Sequence, residues 1–438
     1  MKLLLIDPVT TAKTASVSER TKLRRGIGYP GLGLLTVAAL TPEEIAVRYI
    51  DESVEDIDFG HRPDMVGITV QAPTAPYAYQ LASKFRSQGV TVVLGGIHVS
   101  LNPEEALAFA DAVVVGEAEL SWRKLLEDYR VGQLKKLYRP SALAHLADSP
   151  IPRRDLLKTD LYRIPYLVQA SKGCPYGCSF CSLHAYVGRV PRFRPVQSVI
   201  DELEALPSDS FLFADDNLYC DADYTTKLLQ ALAPLNRRWA AESTWHIAFD
   251  DEVLRLAKQS GCIGLFIGFD SINNRSTLRK VPPHGSVEHT YVDAIKRILG
   301  HGIAVVAAFV FGLDEDDESV FERSLRVVLD GGANLVNFSC LVPYPGTPIY
   351  SQLKREKRLI ESDWSRYISP NVCFLPKKMS PRRLNEGVVW AQREFYSYHN
   401  IARTSLRAAR QLGWGMGLFA LQLNLAQRKN WGRGSHEN

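Results

Sequence analysis

Short, almost continuous apolar runs alternate along most of the chain with longer segments whose apolar residues recur every three or four positions. A short apolar run predicts a strand that is buried on both faces, and the longer period predicts a helix. In the first third of the chain the predicted strands are 3–6, 46–50, 65–69, 90–94 and 112–115. The helices predicted between them are 32–40, 77–88, 103–110 and 120–129. This order predicts an α/β domain, residues 1–138, with a doubly wound parallel sheet like that of a Rossmann domain.

A second alternation begins after a segment rich in Pro, Asp and Arg, residues 139–165, which we interpret as a linker. Its predicted strands are 166–170, 211–214, 239–245, 264–269, 304–311 and 335–341. Its predicted helices are 196–206, 224–235, 251–260, 288–301 and 318–330. Six such units predict a partial (β/α)6 barrel over residues 166–359, with its chemistry at the carboxyl ends of the strands.

The remaining region, residues 360–438, is predicted to be helical. A helix over 383–398 carries Trp390, Phe395 and Tyr396, a stripe that favours core packing over ligand contact, although its position suits a cap over the barrel. The apolar segment 414–426 is too short to cross a bilayer. Its basic flanks, including Arg428 and Lys429, leave two alternatives, namely peripheral membrane contact or a docked amphipathic helix.

Composition narrows the class of protein only slightly. Of 438 residues, 46% are hydrophobic, and 52 basic residues are nearly balanced by 48 acidic ones, so no nucleic-acid partner is expected. The first apolar run is short and is broken by Asp7 and Pro8, so we expect a first strand rather than a secretory signal. We therefore expect a cytoplasmic protein, where thiols are kept reduced.

The chemistry concentrates in a loop that follows the first barrel strand and holds Cys174, Cys178 and Cys181 in a C-x3-C-x2-C array. Thiolates this close suit an iron–sulfur cluster, and three of them leave one iron of a four-iron cluster without a protein ligand. A zinc site is the alternative, with His184 as the nearest further ligand. Chance spacing or a disulfide are others, although seven cysteines are an odd number. The other four cysteines are scattered and are expected to be apolar filler.

This loop closely resembles the cluster loop of the radical S-adenosylmethionine (SAM) enzymes, through Gly173-Cys-Pro-Tyr-Gly-Cys-Ser-Phe-Cys181. The resemblance implies a [4Fe–4S] cluster whose open iron binds SAM, and an electron donor such as flavodoxin or ferredoxin. It also implies that cleavage of SAM yields a 5′-deoxyadenosyl radical.

Further matches follow at the ends of successive barrel strands. Asp215-Asp216-Asn217 resembles the form usual in the cobalamin-dependent branch, where much of the family has Gly-Gly-Glu; helix capping is the alternative for the two aspartates. Gly268-x-Asp270-Ser matches a family Gly-x-Glu-Ser, with a shorter carboxylate. The resemblance implies that the residues contacting SAM are Phe180, Asp215, Asp216, Asn217, Glu242, Ser243, Gly268 and Asp270. No catalytic side chain is identified.

Loops rich in small residues follow three strands of the front domain, and together they resemble the cobalamin-binding domain that precedes many radical SAM enzymes. The resemblance implies a cobalamin (B12) site at Thr69, Gln71, Gly95, Gly96, His98, Gly116 and Glu117. The chain lacks the Asp-x-His-x-x-Gly motif that supplies a histidine to cobalt in the methionine-synthase type. We therefore expect cobalt to bind without a protein imidazole.

The function implied by the resemblance is cobalamin-dependent C-methylation of an unactivated carbon, in a small-molecule or lipid substrate of a natural-product or lipid pathway. One alternative keeps the radical chemistry but ends in rearrangement, oxidation or transfer of another fragment of SAM. An alternative from another class is a non-catalytic cobalamin or iron–sulfur sensor, although no effector module is evident in the sequence.

Overall fold

The computed structural model describes residues 1–9, 28–273 and 286–433. Two six-stranded parallel sheets follow one another along the chain, and helices complete the structure. The expected α/β architecture is confirmed.

The front sheet contains all five predicted strands and one more. Its strands are β1 (Lys2–Asp7), β2 (Ala46–Asp51), β3 (Met65–Thr69), β4 (Thr91–Gly95), β5 (Ala112–Val114) and β6 (Leu137–Tyr138), in the order β2-β1-β3-β4-β5-β6. The helices are α1 (Gly33–Leu40), α2 (Ala75–Ser87), α3 (Ile97–Leu101), α4 (Pro103–Ala106) and α5 (Trp122–Arg130). Helix α3 was not predicted, and α4 is shorter than the helix expected at 103–110.

Both faces of this sheet are covered. Along β1, Leu3 and Leu5 belong to one buried apolar cluster while Leu4 and Ile6 belong to another. Because successive side chains of a strand point to opposite faces, a continuous apolar strand fills both cores at once. Only the loops at the strand ends are left to contact a ligand.

The strands of the second sheet are β7 (Leu167–Val168), β10 (Ser210–Phe213), β11 (Arg238–Thr244), β12 (Cys262–Asp270), β13 (Ala304–Phe311) and β14 (Leu335–Cys340). They run in the order β14-β13-β12-β11-β10-β7, so each lies beside the next of these six along the chain. A separate antiparallel pair, β8 (Ser171–Lys172) and β9 (Arg192–Phe193), was not predicted. The predicted first strand, 166–170, is reduced to two residues.

Helices accompany the second sheet. One of them, α6 (Leu183–Val187), lies on the side of the front domain, where its residues share a cavity with front-domain residues. The others contribute apolar residues to the core under the outer face of the sheet, and they are α7 (Val196–Glu204), α8 (Ala222–Leu232), α9 (Asp251–Gln259), α10 (Val287–Gly300), α11 (Ser319–Gly331) and α12 (Pro348–Arg355). Along β12, Leu265, Ile267 and Phe269 are buried in the core beneath the helices. The residues that alternate with them, such as Gly264 and Gly268, stay partly exposed, so the inner face of the partial barrel is open.

Three single turns of 3-10 helix occupy the predicted linker, at Leu146–Asp148, Arg154–Leu156 and Thr159–Leu161. The linker is anchored rather than loose, because the Arg154 guanidinium pairs with the buried Glu202 carboxylate of the barrel. The domain boundaries given above stay predictions.

The C-terminal region contains three helices, α13 (Pro381–Phe395), α14 (Tyr398–Leu412) and α15 (Trp414–Arg433). Helix α13 packs beside the edge strand β14, where Gln392 Oε1 accepts from Phe338 N at 3.0 Å and Tyr396 Oη donates to Val336 O at 2.9 Å. Phe395 and Tyr396 are buried there, whereas Trp390 is 44% exposed. Within the described part of the chain, no helix is both long and apolar enough to cross a membrane.

Candidate functional site

The cysteine loop directly follows β8, and the pairing of β8 with β9 joins the two ends of the segment that contains the loop. Cys174 and Cys178 are buried and Cys181 is half-buried. Gly173, which precedes the first cysteine, has φ +92°, a left-handed conformation that favours glycine. All three thiols therefore sit on one short, shaped loop.

Asp215 and Asp216 follow β10 and bind the backbone that leads into this loop. The Asp215 carboxylate accepts from Ser171 Oγ at 2.5 Å and from Ala170 N at 3.0 Å. Asp216 Oδ2 accepts from Gly173 N at 2.9 Å. Burial raises the pKa of Asp215 to about 7, opposed by these hydrogen bonds. Both aspartates thus hold the cysteine loop in place, and neither caps a helix.

Asn217 joins the same loop to β11. Its side-chain nitrogen lies 3.8 Å from Cys174 Sγ, and its oxygen accepts from Ser243 Oγ at 3.3 Å and from Thr244 N at 3.2 Å. Cys220, expected to be filler, lies here too, and its thiol donates to Asn217 O at 2.9 Å. The ends of β10 and β11 and the first cysteine are therefore one connected unit.

Asp270, at the end of β12, comes close to the second cysteine. Its Oδ2 lies 3.8 Å from Cys178 Sγ, and its own backbone is left-handed at φ +62°. Strain of this kind costs about 1–3 kcal/mol for a residue other than glycine and is often found where a side chain must be aimed. A Cβ at the neighbouring Gly268 would stand 3.7 Å from Asp270 Oδ1, an ordinary van der Waals contact, so the carboxylate does not require glycine there.

Glu242 and Phe180 complete the predicted SAM-binding residues. The Glu242 side chain lies on the open inner face of β11, where surrounding protein atoms, with a contribution from the Asp216 charge, raise its pKa to about 7. Phe180 is partly buried and packs against the barrel core. The structure thus groups all eight predicted residues around the cysteine loop and the adjoining strand ends.

A cavity of about 360 Å³ lies between the front sheet and the segments that flank the cysteine loop, such as Lys172 before it and Leu183 after it. Four of the predicted front-domain residues line it, namely Thr69, Gly95, Gly96 and Gly116. The barrel contributes Gln169, Lys172, Tyr186, Ala214 and Asp216. We call this space the interdomain cavity, because residues of the front domain line one wall and residues of the barrel domain line the other.

The glycines that line the interdomain cavity differ in why glycine occurs there. Gly96 has φ +96°, and a Cβ there would lie 2.8 Å from Val70 N, so the backbone requires glycine. A Cβ at Gly116 would meet no atom within 4 Å, which leaves open space at that wall. Small residues with open space beside them fit a large flat ligand lying close to the backbone, as a corrinoid ring does.

The other three predicted front-domain residues lie elsewhere. Gln71 and His98 line a second cavity of about 290 Å³ beside Tyr344 and Pro345. His98 is 2% exposed, neither ring nitrogen has a hydrogen-bond partner among the described residues, and burial lowers its pKa to about 4. Its ring packs edge-on against Trp364, with 5.0 Å between centroids.

Glu117 forms an ion-pair network that the sequence did not reveal. Arg192 of β9 binds its carboxylate through two nitrogens, each at 2.8 Å, and Lys172 lies 3.4 Å from it and 2.5 Å from Glu119. These cations hold the pKa of Glu117 below its usual range, although burial opposes them. The network ties the loop after β5 to the strand that leads into the cysteines.

The donor set fits an iron–sulfur cluster, since three buried or half-buried thiols share one loop. Within the described ranges, no three His, Cys, Asp or Glu side chains are grouped as ligands of a single metal ion. A four-iron cluster spreads its ligands over separate irons, so its thiols stand further apart than those around one ion.

Two family models match the chain, the B12 binding domain at residues 25–126 and the radical SAM superfamily at residues 168–328. Bacteriochlorophyllide d C-12(1)-methyltransferase of Chlorobaculum tepidum is 31% identical over 83% of this chain and 82% of its own. Hopanoid C-2 methylase of Rhodopseudomonas palustris is 27% identical over 76% of this chain and 66% of its own.

The solved structure of the radical SAM methyltransferase TsrM from Kitasatospora setae, with cobalamin and a [4Fe-4S] cluster bound, superposes with a TM-score of 0.67. It covers 99% of this chain and all of its own at 17% identity, which supports the shared fold. The cofactors expected from the sequence, a [4Fe–4S] cluster, SAM and cobalamin, are supported by the two domain matches. The chain belongs to the cobalamin-binding radical SAM enzymes.

Proposed function

We propose that this enzyme transfers a methyl group to an unactivated carbon of an apolar natural product or lipid. The observation that carries the proposal is the interdomain cavity, which has the front-domain glycines on one wall and Asp216 and Lys172, beside the cysteine loop, on the other. Relatives named for methylation of bacteriochlorophyllides and hopanoids support the substrate class.

Cys174, Cys178 and Cys181 would hold the cluster. When bound, the cluster and SAM supply the 5′-deoxyadenosyl radical that removes a hydrogen atom from the substrate, and methylcobalamin supplies the methyl group. The protein contributes placement, because Asp215, Asp216 and their hydrogen bonds keep the loop in one conformation.

We assign the binding of SAM to the open side of this loop. Asp270 and Glu242 present carboxylates there, and a carboxylate is a suitable acceptor for the ammonium group of SAM. Ser243, Gly268 and Asn217 shape the adjoining strand ends, and Phe180 offers a ring on which an adenine can stack.

We assign cobalamin to the interdomain cavity, with Thr69, Gly95, Gly96 and Gly116 against the ring. Gln71 and His98 line the neighbouring cavity instead, and Glu117 orients its loop through Arg192. Cobalt would bind without a protein imidazole, because no described histidine lines the interdomain cavity.

The experiment is anaerobic incubation of the reconstituted enzyme with SAM, a reductant, methylcobalamin and extract of the source cells. Methylation predicts a compound that gains about 14 mass units, together with both 5′-deoxyadenosine and S-adenosylhomocysteine. The variant that lacks all three loop cysteines is the control and should yield none of them. Formation of 5′-deoxyadenosine without S-adenosylhomocysteine would instead favour rearrangement, oxidation or another fragment transfer.

The proposal includes partners and location. A reduced flavodoxin or ferredoxin would supply the electron, and a cytoplasmic location suits a reduced cluster and free thiols. Peripheral membrane contact through the last helix, α15, would bring the enzyme to an apolar substrate.

A further inference from the structure

The last helix, α15, uses one face for packing. Gly417, Ala420 and Asn424 are buried on that face, and Asn424 Nδ2 donates to Asn334 O at 3.2 Å. Gly417 lies so close to α14 that a Cβ would stand 2.5 Å from the Cβ of Ala409. This face is therefore fully engaged with the rest of the protein.

An adjoining face of α15, about 100° further round the helix, is apolar as well, although it is open to solvent. Trp414, Leu418 and Leu425 are 77%, 62% and 41% exposed, and Leu421 between them is half-buried. Their spacing of four, three and four residues places all four side chains within one narrow arc of the helix. We call these four residues the apolar stripe. A surface helix usually carries polar residues here, so the stripe calls for a partner.

Charge indicates the kind of partner. Residues 395–433 contain no Asp or Glu, but they do contain Arg403, Arg407, Arg410, Arg428, Lys429 and Arg433. Arg407 and Arg428 donate to the carbonyls of Leu329 and Tyr396. Arg403, Arg410 and Lys429 are exposed, and the exposed Leu406 lies between the two arginines on α14.

We propose that the apolar stripe, with Arg403, Arg410 and Lys429, binds the surface of an anionic lipid membrane. An exposed tryptophan and leucines flanked by cations form the pattern that buries in the boundary between headgroups and acyl chains. A second copy of the chain would bring the same uncompensated positive charge to the interface, whereas anionic headgroups neutralise it. The membrane is therefore the better occupant.

This inference deepens the proposed function, since it names a lipid surface as the place where an apolar substrate is met. Only the identity of the substrate as an apolar compound rests on the proposed function. Binding to the membrane needs no cofactor chemistry, so it can be measured separately from methylation.

The test is flotation of the full-length protein with phosphatidylcholine vesicles, with or without phosphatidylglycerol. We expect binding to the anionic vesicles that is far stronger than binding to the neutral ones. The double variant Trp414→Ser/Leu418→Ser should lower the partition coefficient at least about tenfold, because it removes two large apolar groups from the stripe. Val131→Ser is the matched control, since Val131 is 67% exposed on the front domain, and it should not change binding.

The double variant Arg403→Gln/Arg410→Gln tests the charge. Each cation near an anionic surface contributes about 1 kcal/mol, so we expect about a fivefold loss for each charge removed, and a similar decline when salt is added. Arg382→Gln, at an exposed arginine of α13 that pairs with Glu386, is the control and should bind as the unchanged protein does.

Three results would overturn the inference. One is no flotation with anionic vesicles, and another is flotation that the Trp414→Ser/Leu418→Ser variant leaves unchanged. The third is a dimer, detected by light scattering without vesicles, that the same variant dissociates. Vesicle binding without any methyl transfer would refute only the proposed reaction, and methyl transfer without vesicle binding would refute only the membrane site.

Discussion

The two parallel sheets differ in how many of their faces are covered by helices. The front sheet is covered on both faces, as Leu3 and Leu4 of β1 show by entering opposite cores. The barrel sheet is covered on one face only, and its inner face carries small or polar residues such as Gly264, Gly268 and Glu242. A sheet of the first kind can bind a ligand only at its loops, whereas the second kind also offers a whole concave face.

This difference predicts that damage to one site leaves the other intact. The front domain should keep cobalamin when the cluster is lost. The barrel should keep its cluster when a larger side chain replaces a glycine in the front-domain loops. Among the described residues, the contacts that join the two domains include the interdomain cavity and the salt bridges of Glu117 and Glu119 with Arg192 and Lys172.

The largest expected effect follows replacement of Cys174, Cys178 and Cys181 together by Ala. We expect complete loss of the iron–sulfur chromophore and of SAM cleavage, because the open coordination site exists only in the assembled cluster. Bound cobalamin, measured from its visible absorption, should be retained. Cys340→Ala is the control, since Cys340 is buried beside Pro370 away from the loop, and it should keep both cofactors. A triple variant that still holds a four-iron cluster would refute the assignment.

Asp270→Ala should have the next largest effect, and it should affect only the barrel, by weakening the binding of SAM. Loss of a charge-assisted hydrogen bond costs about 1.5–3 kcal/mol, so we expect SAM affinity to fall roughly ten- to hundredfold. Iron content should stay unchanged, because Asp270 is not a thiol ligand. Equilibrium binding of SAM measures the change, with Asp251→Asn on the exposed side of α9 as the control. Unchanged affinity would remove Asp270 from the SAM site.

A smaller effect, confined to the front sheet, is expected from Gly116→Leu. Gly116 and Gly89 both have φ +77° and open space around the position of a Cβ, so a side chain costs the backbone a similar 1–2 kcal/mol at each. Only Gly116 lines the interdomain cavity. Gly116→Leu should therefore lower cobalamin retention by about tenfold through steric exclusion, while Gly89→Leu should lower only thermal stability. Equal retention by both variants would place the corrinoid elsewhere.

The sequence predicted the parts of this fold whose residues repeat a simple pattern. Strands β3 and β13 begin and end where their apolar runs do, because each run fills a buried strand. β6 has only two residues and forms because β5 offers it a free edge, which no local pattern can show. The helix expected at 103–110 stops at Ala106, where Leu107 begins a looser turn.

In the candidate site too, the sequence predicted local features but not contacts between residues that are distant in sequence. The spacing of the cysteines predicted their common loop, since ligands a few residues apart converge through local geometry. The pairing of Glu117 with Arg192 joins residues 75 positions apart, and the contact of His98 with Trp364 joins two regions still more distant in sequence. A single sequence contains no signal for such contacts. Glu117 and His98 were assigned to a cobalamin site by resemblance, which stays a prediction, and neither residue lines the interdomain cavity.

The smallest expected effect is that of His98→Phe, which tests whether the front sheet binds cobalt without an imidazole. His98 lies outside the interdomain cavity, and its two ring nitrogens are buried without hydrogen-bond partners among the described residues. Replacing a buried, unsatisfied polar ring by an apolar ring of similar size is nearly neutral or stabilising, so thermal stability should not fall. The visible absorption and the electron paramagnetic hyperfine pattern of bound cobalamin should also stay unchanged. Nitrogen coordination that is present in the unchanged protein and absent from His98→Phe would show that the ring reaches cobalt, and the loop after β4 would then have to move to bring it there.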